Sequence, residues 1–497
     1  MKRSAIVAAL FFVVLGMLGP VIVAAADTKT SPEDTSDAQR LLRVIEEQQK
    51  RLDAQDEELA EQQKALQGLR KEVETLQGQS GIPAPTGIAG ETAAPSQAKE
   101  KSFKAAGAAE KEEWPGFYRV PGTNTQFKIG GFAELDIIHD TNDVQTPSAF
   151  VTQAIRTRGP REGDGQTSFS VQATRLSLET RTPLEGSTLD GMHRRVTTFI
   201  SADFFNNLGS TTPELRLRQA YGEVSNFLHL GGDLLLGQAW STYTNLYAIP
   251  NTLEFWAPNS IFGTRAPLVR WTMPFGDEWK LKLAAEGPNV RNIPGVDTNE
   301  IDSSDPTVNV ESRTNWPDGV VALSWERELF NLSGAFVARD LRARTDDGDK
   351  ASAFGWGATF QGRINMPDIL KDDFMQFSLT YGEGIGSLMN DFPPDAVYDV
   401  VDNDLKPLET LAWFVTYHHQ WSPKFHSLAT FGWLEQDNRN VQGPTAYKET
   451  QYSSLGLAWT PDPRWLLGTE VVYGRREDKD GKSGSNVRTV ITSRFNF

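Results

Sequence analysis

Basic side chains recur inside stretches where apolar and polar residues alternate: Lys128, Arg175, Arg181, Arg195, Arg216, Arg218, Arg270, Lys280, Lys282 and Arg363. In Leu215-Arg216-Leu217-Arg218 and Lys280-Leu281-Lys282-Leu283 the alternation is strict. Successive side chains of an extended chain point to opposite faces, so the cations share one face and the leucines the other. A row of cations on the wall of a water-filled space concentrates anions and repels cations. The forked donors of a guanidinium also match a carboxylate. Arg175, Arg216, Arg218, Arg265 and Arg270 are the candidates for such a row. The same cations suit wall-stabilising salt bridges to Glu134, Asp136, Glu179, Asp203 and Glu223, and the sequence leaves both readings open. A second candidate is Leu253-Glu254-Phe255-Trp256-Ala257-Pro258-Asn259, which is too apolar for a freely solvated loop. Folded inward, it narrows a lumen and puts Glu254 at the constriction; packed on a rim or at a subunit interface, it does not.

Other chemistries find little support. Cysteine is absent, which removes thiolate ligands and thiol nucleophiles. No HExxH, P-loop or Gly-x-Ser-x-Gly pattern occurs, and the adjacent His418 and His419 fall on opposite faces of a strand. The expectation is therefore no catalytic residue, no metal and no cofactor. A hydrolase needing a Ser or Asp nucleophile beside one of the 6 histidines remains a different class to test. The net charge of −16 speaks against nucleic acid as a partner. Much of the acidity sits in three segments: Asp297, Glu300, Asp302 and Asp305; Asp346, Asp347 and Asp349; and Asp391, Asp395, Asp399, Asp402 and Asp404. These read as solvated loops, with bridging to divalent cations or lipopolysaccharide as the alternative.

The elements that must position these residues are strands. Alternation places them near Phe127–Asp140, Ser168–Arg181, Arg194–Phe205, Glu214–Val224, Leu230–Ser241, Pro267–Thr272, Glu278–Glu286 and Val320–Glu326. They continue near Phe330–Leu341, Ser352–Ile364, Phe374–Glu383, Leu408–Trp421, Lys424–Glu435, Tyr452–Thr460, Arg464–Arg475 and Asn486–Phe497. Aromatics flank the short turns: Trp325 and Phe330, Trp421 and Phe425, Trp459 and Trp465. Long loops take the other end, at 145–166, 242–266, 288–318 and 385–406. Short turns at one end, long loops at the other and aromatics at headgroup level are what an antiparallel barrel in a bilayer requires. The fold class is all-β, a 16-stranded antiparallel transmembrane barrel with an N-terminal helical coiled coil. A mean hydropathy of −0.42 fits, because only outward-facing residues touch lipid.

The N-terminal region divides differently. Residues 1–26 have a basic start, an apolar run and Ala24-Ala25-Ala26, the pattern of a cleaved signal peptide. Residues 37–77 repeat every seven: Ala38, Ile45, Leu52, Leu59, Leu66 and Val73, with Leu41, Gln48, Gln55, Gln62, Leu69 and Leu76 at the second core position. Such a repeat favours self-association as a coiled coil, about 60 Å long at ~1.5 Å per residue. A trimer is the first choice, and a lone amphipathic helix on its own barrel is the alternative. Residues 78–113 read as a flexible tether and 114–497 as the barrel, whose last strand ends on Phe495 and Phe497.

Taken in order, several segments resemble the DcaP-like family of trimeric outer-membrane porins. They are Gly130-Gly131-Phe132-Ala133-Glu134-Leu135-Asp136, Thr174-Arg175-Leu176-Ser177-Leu178, the run from Leu215 to Glu223, and the run from Leu235 to Ser241. The terminal strand is also similar to the signal by which outer-membrane barrels are recognised for insertion. The resemblance implies a homotrimer taking up small anionic solutes such as dicarboxylates. The expected function is passive diffusion through a loop-narrowed lumen in a bacterial outer membrane, with lipid and lipopolysaccharide around the barrel. The coiled coil then lies in the periplasm. The alternative is an envelope tether whose coiled coil binds peptidoglycan or another periplasmic partner.

Overall fold

The computed structural model describes residues 114–497 apart from 143–144, 160–164, 185–193, 206–207, 228–230, 289–294, 297–306, 309, 346–347, 368–371 and 400. The signal, coiled-coil and tether segments, and the acidic residues Asp297, Glu300, Asp302, Asp305, Asp346 and Asp347, lie outside the described residues.

Sixteen antiparallel strands close into a barrel. They are β1 (Gln126–Asp140), β2 (Gln166–Ser170 and Arg175–Pro183), β3 (Arg195–Asp203), β4 (Arg216–Val224), β5 (Asp233–Trp240), β6 (Arg265–Phe275), β7 (Trp279–Glu286) and β8 (Asp318–Arg327). Then follow β9 (Phe330–Thr345), β10 (Lys350–Asn365), β11 (Phe374–Glu383), β12 (Glu409–Ser422), β13 (Phe425–Asp437), β14 (Tyr447–Asp462), β15 (Trp465–Asp478) and β16 (Ser483–Asn496). Each strand pairs with the next, and β1 closes the ring on β16 from Phe132 opposite Asn496 to Asp140 opposite Arg488. Closure leaves no sheet edge to expose unpaired backbone groups.

Period-2 alternation sorts the faces. Ile129, Leu178, Ile200, Leu236, Val269, Leu283, Leu455 and Val471 point outward and are exposed. Thr380, Thr410, Thr416, Thr450 and Thr492 point inward and are buried. An apolar exterior against a polar interior is the membrane-barrel pattern, the reverse of a soluble core. At the turn end, Phe275, Trp279, Trp325 and Phe330 form a continuous row, with the Trp279 and Trp325 rings stacked at 5.1 Å. Trp465 stacks on Phe495 at 5.7 Å in the same girdle.

Two connections at the loop end differ from the expected alternation. β9 and β10 run for 16 residues each and meet in a tight turn, where Thr345 N–H donates to Asp349 O at 3.0 Å. β15 and β16 likewise extend to Asp478 and Ser483. Cross-strand pairing continues to the tips, with Arg344 opposite Lys350 and Glu477 opposite Ser483, so residues read as polar loop are strand instead.

Hydrophobic side chains also gather inside the barrel. Tyr243 and Phe262 of the third loop (241–264) and Ile385, Leu388 and Met389 of the sixth loop (384–408) pack on Val320, Ala322, Ala335, Val337, Ala412 and Leu434 of the inner wall. The sixth loop is therefore not a solvated acidic loop. Asp391, Asp395 and Asp399 are buried, and this loop forms a small sheet in which Ala396–Asp399 pairs with Asp404–Pro407. Each of these carboxylates finds donors, which is the condition for burying it.

Candidate functional site

The third loop is tied along the inner wall by its own backbone. Thr242 N–H donates to Glu286 at 2.7 Å and Asn245 N–H to Gln361 at 2.8 Å, while Gln376 Nε2 reaches the Tyr247 and Ile249 carbonyls at 2.8 and 2.7 Å. Farther on, the Leu253 and Glu254 N–H groups share the Glu470 carboxylate at 2.6 and 2.9 Å. Asn259 Nδ2 donates to Thr450 Oγ1 at 2.8 Å and the Ser260 hydroxyl to Trp413 O at 2.8 Å. The loop thus runs from β7 round to β15 within the lumen, and it satisfies its buried backbone groups as it goes.

Glu254 does not face the opening. It is buried, and its carboxylate accepts N–H groups from Phe150, Trp256 and Ala257 at 2.7, 2.8 and 3.2 Å, with Arg488 Nη1 at 3.5 Å. Burial pushes this carboxyl up, against the opposing pull of Arg488 and the three N–H groups. It is a loop anchor, which sequence alone could not distinguish from a lumenal acid. Asp391 of the sixth loop has a parallel role. It accepts from the Thr152 and Thr450 hydroxyls at 2.7 and 2.6 Å, and burial again pushes its carboxyl up against those bonds.

Opposite the third loop a cavity of about 810 Å³ stays open. Its lining runs from Leu208 and Thr264 near the loop end to His426, Leu466 and Arg494 near the turn end. Arg175, Arg216, Arg218 and Arg265 line it together, from β2, β4 and β6. Arg175 opens the second half of β2 beside Gly131, where a Cβ would meet Arg175 O at 2.1 Å; only glycine allows that approach at φ +153°. A β-bulge opposite Ser201 and Ala202 leaves Arg218 without a cross-strand partner, so Arg216 and Arg218 both reach Asp203. The Asp203 carboxylate accepts from Arg216 Nε and Nη2 at 2.8 and 2.7 Å and also from Arg218. Arg265 lies over the Trp240 ring at 4.7 Å. Arg175 and Arg494 lie over the Phe132 ring at 5.2 and 4.5 Å.

Arg270 is not in this group. It lies in a separate pocket of about 170 Å³ with Lys282, and its Nη1 donates to Trp240 O at 3.3 Å. Arg494, by contrast, is a lining residue that the basic-residue pattern missed. With Phe495 outward, alternation in the last strand directs Arg494 inward, where it pairs with Glu134. Both expectations for the cations occur, on different residues. Arg181 and Lys280 form wall salt bridges with Glu179 and Glu326, each at 2.7 Å. Arg175 and Arg265 form no ion pair among the described residues, and Arg175 Nε is buried without a hydrogen-bond partner. Five guanidiniums backed by Asp203 and Glu134 leave a surplus of three positive charges on the cavity wall.

Among the described histidines, His139 Nδ1 is 2.9 Å from the Thr167 hydroxyl. His418 stacks between Phe374 and His426 at 4.3 and 4.8 Å, while His419 on the other face contacts Asp373 at 2.8 Å.

No protein-family model matches the chain, and no curated protein matches it in sequence. Among solved structures, the crystal structure of the outer membrane channel DcaP of Acinetobacter baumannii aligns with a TM-score of 0.63 at 19% identity, covering 76% of this chain and 99% of that one. The chain has the fold of that outer-membrane channel. The anion-selective porin from Comamonas acidovorans aligns at a TM-score of 0.46 and 9% identity, over 75% of this chain and 100% of that one. OmpF of Salmonella typhi, in complex with daunomycin, aligns at 0.47 and 11%, over 75% and 98%.

Proposed function

We propose that the chain is a passive outer-membrane porin for small hydrophilic anions, dicarboxylate-like in charge and size. The third loop narrows its lumen, and the cation wall biases what passes. The observation that carries this reading is the cavity running from the loop end to the turn end, lined among the described residues by five guanidiniums and no Asp or Glu. A unit charge ~4 Å from a guanidinium gains about 1 kcal/mol even in bulk water, so three surplus charges suffice for a several-fold preference. The solute gradient supplies the driving force. The apolar outward rows would contact lipid, with lipopolysaccharide at the loop end. In this reading residues 1–26 are a signal, 37–77 a periplasmic coiled coil that holds a homotrimer, 78–113 a tether and 114–497 the barrel.

Reversal potentials in a planar bilayer under a salt gradient test the proposal. The wild type should favour chloride over potassium, and the Arg175→Gln/Arg265→Gln double variant should lower the permeability ratio about fivefold. Cation preference in the wild type would overturn it. Protein lacking residues 37–77 should still conduct; a chain serving mainly as an envelope tether would lose its cellular phenotype with that segment, whatever its conductance.

A further inference from the structure

The pocket that holds Arg270 is not used by the channel as described. It lies beneath the first limb of the third loop, bounded by Thr242, Asn245 and Tyr247 above and by β4 to β9 on the wall. Lys282, three residues from the turn-end start of β7, and Asn331, one residue into β9, place it toward the turn end. Trp240 lines both cavities, so they are neighbours.

Its donors are unusually idle. Arg270 Nε is buried without a partner. Lys282 forms no hydrogen bond or ion pair among the described residues, whereas Lys280, two positions earlier, bonds Glu326 at 2.7 Å. Thr242 is 3% exposed, and its hydroxyl has no partner although its N–H is bonded to Glu286. The carboxylates at hand are engaged or set back: Glu286 holds the loop, Glu326 holds Lys280, and Glu223 lies across β5 from Arg270 without an ion-pair contact. A buried donor without an acceptor costs about 1–3 kcal/mol. Two of them, with the unpaired ammonium of half-buried Lys282 beside them, line one void and imply something that fills it. Several waters would fit in 170 Å³ at ~30 Å³ each, and so would one small charged group with part of its shell.

We propose that this pocket is a second anion site, accepting one small oxyanion group, a carboxylate or a phosphate, as it leaves the arginine-lined cavity. Arg270 contributes the Nε donor, Lys282 a mobile ammonium and Thr242 a hydroxyl. Together they match the acceptor-only surface of such a group. The inference rests on the chain being a solute channel, and it makes transit a two-station passage past Trp240.

The test uses the full chain in planar bilayers carrying chloride current, with inorganic phosphate or acetate added as the blocking probe. Wild-type current should fall in a saturable way with at least one of the two, and the one that blocks identifies the group taken. Lys282→Gln and Thr242→Val should each raise the half-blocking concentration, Lys282→Gln about tenfold, while Lys282→Arg should restore it. Block by neither probe, or block unmoved by Lys282→Gln and Thr242→Val, overturns the site. A cation-selective wild type that phosphate still blocks through Lys282 would end the anion-porin reading and leave the pocket standing.

Discussion

The two halves of the lumen are built from the same inward-facing rows and end differently. Along β8 to β15 most inward positions are small, apolar, hydroxyl- or amide-bearing, with Asp318, Arg339 and Glu470 as buried charged groups, and loops press against them. Gly432 leaves room for Asn259 and Ser260, Gly468 for Leu253, and Gly474 for Phe150; a Cβ at each would come within 2.6, 2.4 and 2.6 Å of these side chains. Along β2 to β6 the inward positions carry Arg175, Arg216, Arg218 and Arg265, and the space before them is open. A loop laid over Arg175 and Arg265 would bury charges without ion-pair partners, at a cost of several kcal/mol each. The arginines thus keep the channel clear as well as charging it. On the filled side the covered Arg339 is matched: it is buried between Asp318 at 3.2 Å and Asp395 at 2.9 Å, and it donates to the Gly384 carbonyl at 2.6 Å.

The sharpest way to break this contrast is Arg339→Met. It would leave two buried carboxylates facing each other and should cost about 3–5 kcal/mol, read as a fall in the thermal unfolding midpoint in detergent together with new protease cleavage in the sixth loop. An unchanged midpoint would show that the filled half does not depend on matched charge. Next in size is Gly468→Val, which drives a side chain into Leu253 and should cost about 1–3 kcal/mol by overpacking. Displacing the third loop should show as altered single-channel conductance, whereas equal conductance would mean that the wall does not seat the loop. The smallest effect concerns pH. Burial raises the Glu254 and Asp391 carboxyls above their ordinary 4.5 and 3.8, so ionising them destabilises the folded loops at neutral pH. That cost is removed as pH falls through the raised values. Asp399 has the opposite sign: burial works against it, but the Lys406 hydrogen bond holds it below 3.8, so its contribution is lost only in stronger acid. On mild acidification from neutral pH the inner loops should therefore tighten, with fewer current fluctuations, and channels that become noisier would refute this.

Much of the barrel was legible from period-2 alternation, because a lipid-facing row must be apolar whatever it packs against. All sixteen strands occur in the expected order, with ends displaced by a few residues. The tips of β9, β10, β15 and β16 were missed because charged residues such as Arg342 and Arg344 look like loop, yet Arg342 pairs with Asp340 along the same strand at 2.8 Å. Arg175, Arg216 and Arg218 were readable as strand-borne cations, whereas Arg265 fell within the stretch read as the loop 242–266. Arg494 was readable in principle from its outward neighbour Phe495. The roles of Glu254 and Asp391 were not readable, since a carboxylate that anchors a loop and one that lines a pore have the same local sequence.

The sequence by itself determined the alternation, hence the faces, the strand order and the sign of the charge available to the lumen. Only the tertiary structure decided which cations stand free, which loops enter and where the open path runs. Those outcomes depend on contacts between residues far apart in the chain, such as Glu470 with Leu253 and Arg339 with Asp395. Burial of charge is favourable or costly according to partners that local pattern does not contain.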